Sequence, residues 1–137
     1  MAVVQWLIDK SAFLRLPTAA DPEIWLDRIN RGRVHISTMT RLELGSAYQS
    51  ARHTRTEMAS PPLSLMPIEY LTLAAENRAM EVQLLLAEHG QHQAVSLPNL
   101  LIAATAETNG LIVLHIDKDF EIIAEVTGQP LERLVTL

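Results

Sequence analysis

The sequence predicts an α/β fold in which a mainly parallel central sheet is covered by helices on both faces. Three observations carry that prediction. Short apolar, β-branched runs at residues 3–8, 34–37 and 111–116 alternate with stretches of helical periodicity, the pattern of strand–helix units whose strands pair in parallel. The first and last of these runs are apolar almost throughout, as strands buried on both faces are. Both of them stop at an aspartate, Asp9 and Asp117, at the strand end where open α/β sheets collect their ligands.

At 137 residues the chain suits one domain, residues 1–137, able to bury roughly two-thirds of its unfolded surface. Its 48% apolar and 20% charged residues exclude a disordered, polar chain. The absence of cysteine excludes a disulfide framework and a thiolate metal site, and fits a reducing, cytoplasmic setting. No stretch approaches the ~20 apolar residues of a membrane span, and Met1 and Ala2 open no basic signal-peptide flank. A net charge of −5 argues against a generally basic nucleic-acid binder. Arg28, Arg31, Arg33, Arg41, Arg52 and Arg55 fall close together, however, so a local basic surface is open, beside the plainer reading of solvated helix faces.

Each element follows from its own residues. The first run is a strand ended by Asp9, which either serves a site or caps a short helix near Ser11; that helix should stop before Pro17. Asp21-Pro22 starts a helix whose Ile24, Trp25 and Ile29 recur at helical spacing, ending near Gly32. Residues 34–37 form a second strand, and Thr40-x-x-Glu43 matches a capping box opening the next helix. Residues 52–62 read as a mobile connection with at most a helical turn of its own. Residues 63–68 form a short strand interrupted by Pro67, and 69–89 a long helix or helical hairpin stopped by Gly90. His89 and His92 have the spacing of a metal pair, but a third ligand is missing nearby, and a cationic side chain at a helix end accounts for His89. Ser96-Leu97-Pro98-Asn99 begins a helix whose alanines allow close packing, and Asn109-Gly110 ends it. The strand at 111–116 leads into a helix reaching about Thr127, with an edge strand at 131–137.

Asp9, Glu43 and Asp117 each follow a strand candidate, so three acids are expected at one sheet edge. They would repel one another without a counter-charge, and oxygen-only ligation suits a hard cation, Mg²⁺ or Mn²⁺. Such a site favours phosphate chemistry.

Four segments, taken in order, resemble the motif series of PIN-domain nucleases: Leu7-Ile8-Asp9-Lys10-Ser11, Arg41-Leu42-Glu43-Leu44-Gly45, the stretch from Ser96 to Ala106, and His115-Ile116-Asp117-Lys118-Asp119-Phe120. The spacing is most similar to VapC-type toxins of bacterial toxin–antitoxin pairs, those of mycobacteria above all, and the resemblance spans essentially the whole chain. It implies a Mg²⁺-dependent endoribonuclease, with Mn²⁺ as a substitute, that cleaves structured RNA such as tRNA or rRNA. It also implies control by a VapB-type antitoxin and a two-fold homodimer. Position by position, Asp9, Glu43, Asn99 and Asp117 would form the catalytic and metal-binding set, with Ser11 and Asp119 as auxiliary polar and acidic groups. Arg15 or Arg41 would hold flanking phosphates. The chain departs from the pattern at Asn99, where the resemblance places an aspartate. An amide carries no charge and takes no proton from water, so catalysis is expected to be crippled, whether that asparagine is natural or introduced. A non-catalytic module that binds antitoxin or RNA is the alternative; a phosphoacceptor or phosphatase domain is a more distant one, because Asp9-Lys10-Ser11 lacks the paired acids such sites use.

Overall fold

A computed structural model describes residues 3–137, so the reading made at Met1 and Ala2 lies outside it. Five parallel strands form one sheet in the order β3-β2-β1-β4-β5. They are β1 (Trp6–Ile8), β2 (Val34–Ser37), β3 (Ile68–Glu69), β4 (Ile112–His115) and β5 (Leu131–Arg133). The helices are α1 (Lys10–Phe13), α2 (Pro22–Asn30), α3 (Thr38–Ala47), α4 (Ala51–Met58), α5 (Leu73–Glu88), α6 (Leu97–Thr108) and α7 (Lys118–Thr127). Two single 3₁₀ turns, Leu16–Thr18 and Leu63–Leu65, complete the helical elements among the described residues.

The register sets the two cores. Trp6 pairs with Val34, and Ile8 with Ile36 and Leu114, so these side chains share one face of the sheet. That face packs on Ala12, Trp25, Ile29, Leu44, Leu63 and Met66. Leu7 and Val113 point the other way, onto Val82 and Leu86 of α5, Leu100, Ala103 and Ala106 of α6, and Phe120 and Ile123 of α7. Beneath them Ala75 and Ala79 of α5 meet Ala104 of α6, small residues that let the two helices approach closely.

The chain runs outward from β1 to β2 and β3, then returns through α5 and α6 to enter β4 on the other side of β1. The direction of winding therefore reverses between β1 and β4. Their carboxyl ends flank the crevice where such sheets bind ligands.

Several local expectations need correction. The cap of α3 is Ser37, whose Oγ accepts the Thr40 N–H at 3.1 Å, so Thr40 lies inside the helix and Glu43 closes no capping box. Ser37, as the last residue of β2, brings its hydroxyl to the helix start directly. Residues 52–62 are mostly helix, because Ser50 caps α4 by accepting the His53 N–H at 3.0 Å. Residues 63–68 make a 3₁₀ turn before the two-residue β3; Pro67 has no N–H to give a ladder, though its carbonyl accepts from Ile36. The long helix starts only at Leu73, capped by Thr72. β5 stops at Arg133, and Thr136 makes an isolated antiparallel bridge with Ala19. The short first helix does stop before Pro17, ending at Phe13, and Pro17 itself lies within the first 3₁₀ turn. No helix among the described residues is long and apolar enough to cross a membrane.

Two residues of the arginine-rich stretch are engaged by neighbours on α2 and β1. The Arg28 guanidinium lies 4.4 Å from the ring centres of both Trp6 and Trp25, and Arg31 pairs with Asp27 at 3.0 Å. Beside this cluster an apolar groove of about 390 Å³ opens between α2 and the Pro61–Pro62 segment, lined by Leu16, Trp25, Leu26, Ile29 and Leu65.

Candidate active site

Asp9, Ser11, Glu43, Asn99, Asp117 and Asp119 all line one open cleft of about 310 Å³ at the carboxyl ends of β1 and β4. Five elements deliver them. Asp9 follows β1 and Ser11 sits in α1; Glu43 comes from α3, Asn99 from the first turn of α6, and Asp117 and Asp119 from the start of α7.

Asp9 is 2% exposed. Its Oδ1 accepts the Ala12 N–H at 2.9 Å, so the carboxylate that lines the cleft also caps α1, as the capping reading expected. The Ser11 hydroxyl reaches both Asp9 oxygens at 2.7–2.8 Å and itself accepts the Ile116 N–H at 2.9 Å. That one hydroxyl links the exit of β1 to the exit of β4. Burial pushes the Asp9 carboxyl up to about 6, opposed by the hydrogen bonds from Ala12 and Ser11 and reinforced by Asp117. Burial also raises Glu43, with Lys10 pulling it down and Asp117 adding to the rise.

Asp117 caps α7, its Oδ1 accepting the Asp119 N–H at 3.0 Å. The Asn99 amide donates to Asp117 Oδ2 at 3.1 Å and to Asp119 Oδ2 at 3.0 Å, bridging the two acids. Asp119 accepts the Ser96 N–H at 2.9 Å as well, tying the start of α6 to that of α7. The cap of α6 is Ser96, whose side chain accepts the Asn99 N–H, so Asn99 lies inside the helix and is not its cap.

Among the described residues no trio of acids or histidines is drawn tightly enough together to enclose a cation. The donor set nevertheless fits a hard divalent ion. It is all oxygen, it is electronegative, and it includes a buried carboxyl whose ionised form lacks a nearby countercharge within bonding distance. Asp9, Glu43 and Asp117 are the groups that could hold such an ion.

Sequence reasoning missed Lys10 and Ser96, which also line the cleft. Lys10 follows an aspartate and is the cationic side chain at this cleft, a position that composition does not signal. Arg15 and Arg41 do not line it; Arg41 borders a separate hollow with Gly45, Thr54 and Met58. His89 and His92 stay exposed and apart from the cleft.

The chain belongs to the PIN-domain family, whose model matches residues 6–126. Its place in that family is the VapC branch. It is 58% identical to Ribonuclease VapC2 of Mycobacterium tuberculosis over 95% of this chain and 92% of that one. It is 36% identical to Ribonuclease VapC51 of the same species, over 96% and 94% respectively. The fold matches the DNA-bound VapBC of Salmonella typhimurium with a TM-score of 0.72 at 20% identity, covering 96% of this chain and 98% of that one. It matches VapBC2 of Rickettsia felis, bound to a promoter DNA fragment, with a TM-score of 0.76 at 14% identity over 95% and 98%.

Proposed function

We propose that this chain is the endoribonuclease toxin of a toxin–antitoxin pair, dependent on Mg²⁺ with Mn²⁺ able to replace it, and that Asn99 weakens its catalysis. The observation that carries this is the convergence of Asp9, Glu43 and Asp117 on one cleft at the sheet's switch point, in a chain so similar to a named ribonuclease. Structured RNA, tRNA or rRNA, is the substrate class, and the cytoplasm the place of action.

A divalent cation, when bound, supplies an activated water and neutralises charge at the scissile phosphate. The protein's own residues do the rest. Asp9, Glu43 and Asp117 would hold the ion, Ser11 keeps Asp9 aimed into the cleft, and Lys10 stands where a flanking phosphate needs a positive partner. Asn99 limits the site in two ways. It takes no proton, and its amide already occupies one oxygen each of Asp117 and Asp119, leaving them less free to ligate.

The test compares the unsubstituted chain with Asn99→Asp on labelled tRNA and rRNA in Mg²⁺, in Mn²⁺ and in chelator. Asn99→Asp should raise metal-dependent cleavage by about a hundredfold or more, the scale of a general-base contribution. Equal rates would remove the impairment; no cleavage by either protein on any RNA would remove the nuclease reading. The bridging amide favours one second reading, a non-catalytic module that binds RNA or antitoxin, and tight RNA binding without cleavage in the Asn99→Asp protein would establish it.

A VapB-type antitoxin is the partner we infer, because the solved structures of matching fold include VapBC complexes. We also infer a homodimer, supported by the exposed Leu42, Tyr70, Leu71, Leu73 and Met80, of which Leu42 and Leu71 border one shallow apolar hollow. Leu42→Glu with Leu71→Glu should halve the mass seen in sedimentation, and an unchanged mass would rule out this face.

A further inference from the structure

The amides of Ile116 and Asp117 leave β4 at the point where its ladder ends, and side chains take both of them. Ser11 Oγ accepts the first at 2.9 Å, and His115 Nδ1 accepts the second at 3.1 Å. His115 is 1% exposed, with its ring 5.3 Å from that of Phe120, on the sheet face otherwise filled by Leu7, Val113 and Phe120. An aliphatic residue would fill that face without burying a polar ring. What the imidazole adds is one directed acceptor, placed under the backbone of the acid that caps α7.

We propose that His115 is a positioning residue of the acidic cleft: its Nδ1 fixes the turn that aims the Asp117 carboxylate. This rests on the nuclease reading of the cleft. Since Nδ1 accepts, the ring proton sits on Nε2. Asp117 is then held at three points: its N–H by His115, Oδ1 by the Asp119 N–H, and Oδ2 by the Asn99 amide. The neighbouring amide is held by the same hydroxyl that donates to Asp9. The separation of Asp9 and Asp117, which decides whether one ion can touch both, is thus set through two consecutive peptide groups. Ser11 grips one and His115 the other.

The test measures Mn²⁺ affinity by calorimetry and hydrogen exchange of the Asp117 amide by NMR, for His115→Leu, His115→Asn and His115→Gln, each with Asn99 and with Asn99→Asp. His115→Leu should weaken Mn²⁺ binding by about tenfold, the scale found for groups that orient metal ligands, and speed Asp117 exchange. Asn can place a carbonyl near the Nδ1 position, so His115→Asn should return to within about threefold of the unsubstituted affinity, whereas Gln, whose carbonyl lies a bond further out, should not. A folded His115→Leu with unchanged affinity and exchange would overturn the proposal. If His115→Leu does not fold, the Asn and Gln variants decide, and equal behaviour of those two would overturn it. Should the unsubstituted chain and Asn99→Asp both fail to bind Mn²⁺ or cut RNA, the nuclease reading falls, while Asp117 exchange still decides what His115 does.

Discussion

Two hollows of similar size mark this molecule, and they are built on opposite terms. The cleft, about 310 Å³, is made of polar side chains, of which Asp9, Ser11, Asn99, Asp117 and Asp119 are tied to one another or to backbone amides by directed hydrogen bonds. The groove, about 390 Å³, is walled by prolines, leucines, isoleucine and Trp25, with Asn30 the one polar side chain in its lining. The cleft holds its shape by directed bonds and sacrifices stability to charge; the groove takes its shape from packing and gains stability from it. Substitutions in the groove should therefore move stability alone, whereas those in the cleft should move ion binding as well.

The largest expected effect is on the groove side. Trp25→Ala removes a buried ring that packs edge-on against Trp6 at 5.3 Å and lies under Arg28, and should cost about 3–5 kcal/mol in urea unfolding. Mn²⁺ affinity of the folded fraction should stay unchanged, and a parallel loss would show the two hollows to be coupled.

Asp9→Asn should act in the opposite sense. With its folded pKa raised to about 6 from 3.8, Asp9 favours the folded state fully below the unfolded value, and that contribution is lost as pH rises through about 6. Above pH 7 the buried charge costs about 2–3 kcal/mol. Asp9→Asn should therefore gain about that much stability at pH 7.5, little at pH 4, and lose Mn²⁺ binding, all read from unfolding curves with and without the ion. A destabilised variant at pH 7.5 would contradict the burial argument. By the same sign, ion binding by the unsubstituted chain should weaken as pH falls below about 6.

Ser11→Ala leaves the Ile116 N–H without its acceptor and should cost about 1–2 kcal/mol, together with weaker ion binding. An effect on stability alone would separate the hydroxyl from the site. The smallest change is Leu26→Ser, on the exposed rim of the groove, expected within about 0.5 kcal/mol and without effect on the cleft.

The same contrast explains what could be read in the sequence. The cleft was legible because a carboxylate that ends an apolar run needs a reason, and Asp9 and Asp117 each end one, while Asn99 was marked only by the family resemblance. The fold class followed from the same runs. The groove was not legible, since Leu16, Pro22 and Leu65 look like any loop or helix residues until folding sets them side by side. Strand lengths were overstated for a related reason: a strand buried on both faces carries no alternation to mark its ends, so Val3 and Val4 read as part of β1 although they stand exposed outside it. The start of α3 was misplaced because Ser37 and Thr40 are both good caps, and only the exit point of β2 chooses between them. His115 gave no signal at all, since a histidine closing a strand shows nothing of which amide it will meet.

The chain's only tryptophans, Trp6 and Trp25, sit ring to ring beside one guanidinium, and neither borders the acid cleft. Intrinsic emission will therefore follow the melting of one side of the sheet and stay silent while an ion or an RNA phosphate arrives at the other. A fluorophore at Leu14, half exposed on the cleft wall, would give the optical handle that the native indoles cannot.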